Sequence, residues 1–171
     1  MHDDCYEHIL HLRAIRNYRD EPLAAGDLEQ ILEAARWTGS SKNRQNWAIV
    51  VVADPDQRQR LAACGDYTDP IRHAPVTVAL VQEPDGYEFD TGRMAQNIML
   101  AAASIGVGSC PITLHRENQA HHVLELPAGS RCRYAVALGY PAPDARPARW
   151  GGRKPLSEIA HRDRYGVPYL R

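Results

Sequence analysis

The stretch from Asp90 to Ile105 constrains the fold more than any other part of the chain. Met94, Ile98, Ala101 and Ile105 recur at helical spacing, and Met99, Leu100 and Ala103 make the other sides apolar too. A helix apolar on most sides must be covered on most sides. The pattern therefore predicts a long, central, buried helix with Gly106 as its C-cap. At 171 residues the chain has length for one core around it. We expect a single domain over 1–171, with an extended tail from about residue 140.

The rest of the pattern supplies the cover. A first helix is expected over about Asp4 to Leu12. A second carries Leu28, Ile31, Leu32 and Ala35 at i, i+3, i+4, i+7 spacing and stops at Thr38-Gly39-Ser40-Ser41. Valine-rich runs at Trp47 to Ala53 and Val76 to Val81, and a third at Tyr134 to Leu138, read as strands. Asp54-Pro55 is an N-cap and N1 pair for a helix to about Ala63, and a short helix spans Glu117 to Leu124. Beyond Gly139, prolines and arginines alternate up to Trp150-Gly151-Gly152-Arg153-Lys154, followed by a short helix at about Leu156 to His161. This tail is too small for its own core, so it drapes over this domain or over a second subunit. Strands and helices mix without a regular βαβ repeat, which makes the fold class α+β.

Composition removes several functions. The net charge is −1, from 20 basic and 21 acidic residues, so neither nucleic acid nor an anionic membrane is an expected partner. No apolar run reaches the roughly 18 residues of a membrane span, and the acidic start Met1-His2-Asp3-Asp4 argues against a secretory signal. The four cysteines, at 5, 64, 110 and 132, form no Cys-x-x-Cys pair and read as reduced thiols of a cytoplasmic protein. Cys5, His8 and His11 lack an identifiable distant fourth ligand, so no metal site is expected.

Four clusters could carry chemistry. Arg13-Ala14-Ile15-Arg16 offers guanidinium forks that match phosphate oxygens, although a solvated basic connector would look the same. Gly39 to Trp47 holds Ser40, Ser41, Asn43 and Gln45, whose hydroxyls and carboxamides can pair with a heteroaromatic ring or can form a plain polar loop. Gly106-Val107-Gly108-Ser109-Cys110-Pro111-Ile112-Thr113 follows a helix, not a strand, so it is no Rossmann fingerprint; its glycines could admit a flat ligand. Gly152-Arg153-Lys154 could close over an anion or could be solvated tail.

Their order along the chain is more informative than any one of them. Arg13-Ala-Ile-Arg16-Asn-Tyr, then Ala35 to Trp47, then Asp90-Thr-Gly-Arg-Met-Ala-Gln96-Asn97 running into Gly106 to Pro111, then Gly139-Tyr-Pro and Gly152-Arg153-Lys-Pro-Leu together resemble the nitroreductase family from about residue 9 to 161. The resemblance implies a central mixed sheet packed with helices around a buried helix, in an intertwined homodimer with shared active sites. It implies an FMN-dependent oxidoreductase that passes electrons from NADH or NADPH to a nitroaromatic, a quinone or a related small acceptor.

By the same resemblance, Arg13, Ala14, Arg16 and Arg153 surround the FMN phosphate and ribityl end. Ser40, Ser41 and Asn43 reach the flavin from the partner subunit with Gln45 close by, and Pro111, Ile112 and Thr113 line the ring edge. No catalytic side chain is assigned. Relatives commonly carry serine at Ala14, proline at Asn46 and an acid at Thr113. The loss at Ala14 puts more of the phosphate grip on the arginines, and the loss at Asn46 implies a less rigid loop. A non-catalytic flavin-storage module, a dehalogenase and a flavin-degrading enzyme remain alternatives on the same scaffold.

Overall fold

The structure is a computed structural model that describes residues 3–147 and 152–169. Trp150 and Gly151 of the basic tail lie outside the described residues. The strands are β1 (Trp47–Val52), β2 (Val76–Gln82), β3 (Gly108–Thr113) and β4 (Arg131–Gly139). They form one sheet in the order β1-β2-β4-β3. The helices are α1 (Asp3–His11), α2 (Ala25–Arg36), α3 (Pro55–Ala62), α4 (Asp69–His73), α5 (Glu88–Ser104), α6 (Glu117–Val123) and α7 (Leu156–Ile159).

All pairings among these strands are antiparallel, which corrects the expected mixed sheet. The reason is topological. The crossover through α5 makes β2 and β3 parallel to each other, but β4 inserts between them and pairs with both.

Alternation along the strands feeds two cores. Val78, Leu80, Val136 and Leu138 face Ile31 of α2 and Met94, Ile98 and Ala102 of α5. Ala79, Ala135, Ala137 and Ile112 face Leu61 of α3, Ile71 of α4 and Ala120 of α6. The result is a helix–sheet–helix sandwich, and each fully buried Leu or Ile contributes about 1.5–3 kcal/mol. Between the pairs Leu80↔Tyr134 and Gln82↔Arg131, β4 holds one more residue than β2. This bulge resets the alternation, so Cys132 and Ala135 face the same core despite their odd separation.

Local chemistry explains most boundaries. Asp54 Oδ1 accepts from Gln57 N at 2.7 Å and starts α3, with Pro55 at the first turn where no N–H is needed. Gly106, with φ of +78°, ends the helical stretch of α5. On α5, Met94, Ile98 and Ala102 are buried, whereas Leu100 and Ala103 on other sides stay half-buried.

Two elements were not expected: α4 and β3. The strand β3 contains glycine, serine, cysteine and proline, with little strand propensity. Pairing with β4 imposes it. Cys64, Cys110 and Cys132 are buried free thiols, and Cys5 is exposed. Burial pushes the Cys132 thiol up to about 12.

Candidate functional site

The connector after α1 is sewn onto the edge of the sheet. Ile15 N donates to Ser109 O at 2.8 Å, Arg19 N to Tyr140 O at 2.9 Å and Ala142 N to Asn17 O at 3.1 Å. Tyr18 forms an isolated bridge with Pro141, and its hydroxyl donates to Ile15 O at 2.7 Å. Burial raises the Tyr18 phenol well above its ordinary value, which keeps it a hydrogen-bond donor.

Two glycines make this docking possible. A Cβ on Gly108 would stand 3.0 Å from Ile15 Cγ2, and one on Gly139 would stand 2.9 Å from Tyr18 Cδ1 and 2.7 Å from Pro75 Cδ. Gly108 thus admits the chain's own connector, where the sequence suggested room for a flat ligand.

Docked this way, the connector projects its arginines outward. Ala14 packs its methyl against the core formed with α3, α4 and α6, which accounts for a small apolar residue there. Arg13 is exposed, and its Nη1 donates to Leu10 O and Leu12 O, each at 2.8 Å, leaving the other nitrogens open. Arg16 is exposed and has no hydrogen bond or ion pair among the described residues. Its charge still reaches β3, where it opposes the burial-driven rise of the Cys110 thiol. Beside Arg13, a cleft of about 320 Å³ runs between His11, Ile15, Val107 and Pro141.

Next to these arginines lies the free edge of β3. Leu114 N donates to Arg133 O and extends the ladder with β4, so Ile112 and Cys110 share that bonding phase. The backbone groups of Ser109, Pro111 and Thr113 therefore point away from β4. Pro111 loses no ladder bond because its missing N–H is on the open side. Ser109 O is taken by Ile15, while the Pro111 carbonyl and the Thr113 N–H face outward. Ile112 points inward twice: its backbone to β4 and its side chain into the core, 5% exposed. Of this trio, only Pro111 and Thr113 can meet a ligand along the edge.

The second polar cluster is elsewhere. Ser40 to Gln45 form an arch between α2 and β1, at the opposite edge of the sheet. Three strand spacings separate β1 from β3, roughly 14 Å. Lys42, Asn43 and Gln45 take left-handed φ values of 54°, 54° and 53°. Each such residue other than glycine costs on the order of 1–3 kcal/mol unless its surroundings hold it. Part of the hold is internal: Ser40 Oγ accepts from Gln45 N at 2.9 Å. At the far end, Asn46 Nδ2 donates to Pro84 O at 2.9 Å, and Asn46 O accepts from Glu83 N at 3.2 Å. Asn46 thus tethers the arch where a proline would have stiffened it. The side chains of Ser41 and Asn43 have no hydrogen bond among the described residues. Trp47 is half-buried against the core formed with α2 and α5.

Arg153 lies in the tail, and its Nη1 donates to the neighbouring Gly152 O at 2.8 Å. No described bond joins it to the connector. The structure thus brings Arg13, Arg16, Pro111 and Thr113 together within one chain. It leaves Ser40, Ser41, Asn43 and Gln45 across the sheet, and Arg153 on the tail. A larger cleft of about 530 Å³ beside Arg58 and Arg72 lies apart from the arch. There Arg58 caps the end of α4, donating to the carbonyls of Ala74 and Arg72.

Motif order, connector and arch now coincide with a known pattern. The nitroreductase family model matches residues 9–64 and 67–140. The chain belongs to the nitroreductase family. The NADPH-flavin oxidoreductase of Vibrio harveyi is 30% identical over 186 residues, covering 93% of this chain and 73% of that protein. The FMN reductase [NAD(P)H] of Bacillus subtilis is 28% identical over 90% of this chain and 71% of its own length. The crystal structure of the NADPH:FMN oxidoreductase of Vibrio harveyi, complexed with NAD+, superposes with a TM-score of 0.87 at 25% identity, covering 95% of this chain and 78% of that one.

The donor set fits the FMN that the resemblance implies. The Arg16 guanidinium, unbonded among the described residues, and the Arg13 nitrogens other than Nη1 suit a phosphate, and an outward carbonyl and N–H on β3 suit a polar ring edge. The sequence pointed to these residue types. It missed Tyr18, Gly108 and Gly139, which seat the connector, and it assigned no role to Arg93 or Asn97. The four-residue spacing of those two was the available signal, because it puts both on one face of α5.

Proposed function

We propose that this chain is an FMN-dependent oxidoreductase, working as a single domain in a homodimer with two shared sites. It would draw electrons from NADH or NADPH and deliver them to a small acceptor such as a nitroaromatic or quinone. The carrying observation is the separation of the two polar clusters. Arg13, Arg16 and the β3 edge stand at one side of the sheet, and the Ser40–Gln45 arch, whose Ser41 and Asn43 side chains make no hydrogen bond among the described residues, stands at the other. One chain offers two half-sites, and a second copy can complete both.

Exposed apolar side chains favour such a copy. Tyr6 and Ile9 on α1 are 62% and 50% exposed, and Ile159 and Tyr165 on the tail 60% and 92%. A dimer could cover them and bring Arg153 towards the phosphate.

When bound, FMN would supply the two-electron chemistry, and the protein would supply binding and orientation. Arg16 and Arg13 would hold the phosphate. The Thr113 N–H and Pro111 carbonyl would meet the ring edge. Ser41 and Asn43 of a second copy would close over it, leaving the small acceptor an open face. Three buried free thiols suit a reducing compartment such as the cytoplasm.

Purified protein should be yellow and should bleach when NADH or NADPH is added. Arg16→Ala should weaken FMN binding by about 1.5–3 kcal/mol, the worth of a charge-assisted contact. Protein that stays colourless after incubation with FMN would overturn the proposal. Yellow protein that neither nucleotide bleaches would be a storage module instead.

A further inference from the structure

The Ser40–Gln45 arch holds three left-handed residues, yet its own contacts pin only its middle and its far end. Its near end, Thr38-Gly39, is held from outside by α5. Arg93 Nη1 donates to Gly39 O at 2.8 Å, and Asn97 Nδ2 donates to the buried Thr38 Oγ1 at 3.0 Å. Arg93 is itself steered from two sides: its Nη1 is 3.9 Å from Asp90 Oδ1, and its guanidinium lies 5.8 Å from the centre of the Phe89 ring. Phe89, Arg93 and Asn97 recur at four-residue intervals, so one face of α5 presents all of them. The guanidinium lies directly against this turn: a Cβ on Gly39 would stand 3.0 Å from Arg93 Nη2.

We infer that Arg93 and Asn97 are positioning residues that clamp the arch in its ligand-ready shape and so set the affinity of the site it completes. The inference rests on the flavin role proposed above for Ser41 and Asn43. Neither clamp residue needs to touch the cofactor. They act through the Gly39 carbonyl and the Thr38 hydroxyl, which fix where the arch leaves α2. Without them, the left-handed turn would be free to relax, and Ser41 and Asn43 would have to be reordered at each binding event.

The test is Arg93→Ala in the full-length protein, with two readouts. FMN affinity is titrated on the apoprotein, and the arch is probed with trypsin, because Lys42 and Arg44 project from it. Cleavage at those residues should accelerate about tenfold, and FMN should bind about tenfold more weakly, as for the loss of one hydrogen bond to a charged donor. The urea midpoint should hold. Arg93→Lys keeps one donor for the Gly39 carbonyl and should recover most of both effects. Asn97→Ala, which removes the donor to Thr38 Oγ1, should loosen the arch in the same direction.

FMN affinity within about twofold of the native protein would overturn the inference, since that is below the worth of one such bond. So would a loss that Arg93→Lys does not recover. Should Arg93→Ala fail to fold, Asn97→Ala carries the same test through the other clamp bond, and its unchanged affinity is equally fatal. Native protein that takes up no FMN would refute the flavin proposal separately. The clamp would then be judged by trypsin alone, with unchanged cleavage in Arg93→Ala overturning it.

Discussion

The connector and the arch are both polar segments between helix and strand, but they are held differently. The connector is bonded to its own sheet through Ile15, Tyr18 and Arg19, and two glycines let it approach. Its arginines stand beside the β3 edge of the same chain. The arch is clamped at both ends by α5 and the 83–86 turn, and among the described residues its exposed middle is held by bonds within the arch itself. Left-handed residues held in an exposed segment fit the role proposed for the arch, closing a site on a second copy. In the proposed dimer, the connector is the half-site a chain would use by itself and the arch the one it would lend.

The strongest way to break this comparison is complementation. Arg16→Ala and Ser41→Ala/Asn43→Ala proteins should each bind FMN poorly. Unfolded, mixed and refolded together, they should regain native-like affinity at roughly a quarter of the sites, because half the dimers are mixed and each pairs an intact connector with an intact arch once. Equilibrium titration of the mixture counts those sites. A mixture no better than its components would mean that connector and arch do not meet across subunits.

A smaller effect separates the two segments energetically. Gly139→Val puts a side chain where Tyr18 and Pro75 already stand, at 2.9 and 2.7 Å from the new Cβ. Such overpacking should cost about 1–3 kcal/mol in urea unfolding. FMN retention should fall with it, because the connector carries Arg13 and Arg16. Trypsin cleavage at Lys42 and Arg44 should not change, since the arch is anchored elsewhere. Loosening of the arch by Gly139→Val would show that the two segments are one mechanical unit.

Much of this was legible in the sequence, for identifiable reasons. Helix α5 declared itself because Met94, Ile98, Ala101 and Ile105 recur at helical spacing, although the structure buries Ala102 and leaves Ala101 and Ile105 half-buried, and α3 because Asp54-Pro55 is a local capping signal. By contrast, β3 has no local signal: Gly108, Ser109, Cys110 and Pro111 form a strand because β4 pairs with them and Pro111 falls in the open phase. The five-residue α4 was announced only by Thr68-Asp69-Pro70, a weak start signal. The bulge in β4 depends on register, which is decided between strands. At the site, the arginine and arch residue types were readable. That Gly108 serves Ile15 and Gly139 serves Tyr18 was not, because those are contacts between distant parts of the chain.

The smallest predicted effect concerns the end of the β3 edge, past Thr113. A Cβ on Gly65 would lie 2.7 Å from Thr113 O, so the 63–66 loop presses on that end of the strand. Arg116 holds the loop there: Nε donates to Ala63 O at 2.9 Å, Nη2 to Gly65 O at 2.5 Å and Nη1 to Asp66 Oδ1 at 2.6 Å. The Arg116 guanidinium in turn keeps the Asp66 carboxyl below its ordinary range. A carboxyl depressed in the folded state contributes stability that is fully present above its unfolded value, about 3.9, and lost as pH falls through the folded one. The pair is half-exposed, so salt and solvent keep the contribution small. Asp66→Asn should therefore lower the urea midpoint slightly at neutral pH and flatten its decline below about pH 4. FMN affinity should hold if the phosphate end dominates binding, as the connector's arginines imply. A clear loss in Asp66→Asn would shift weight from the connector to the ring end at Thr113, and the contrast between a phosphate-gripping edge and a lent arch would have to include a third segment.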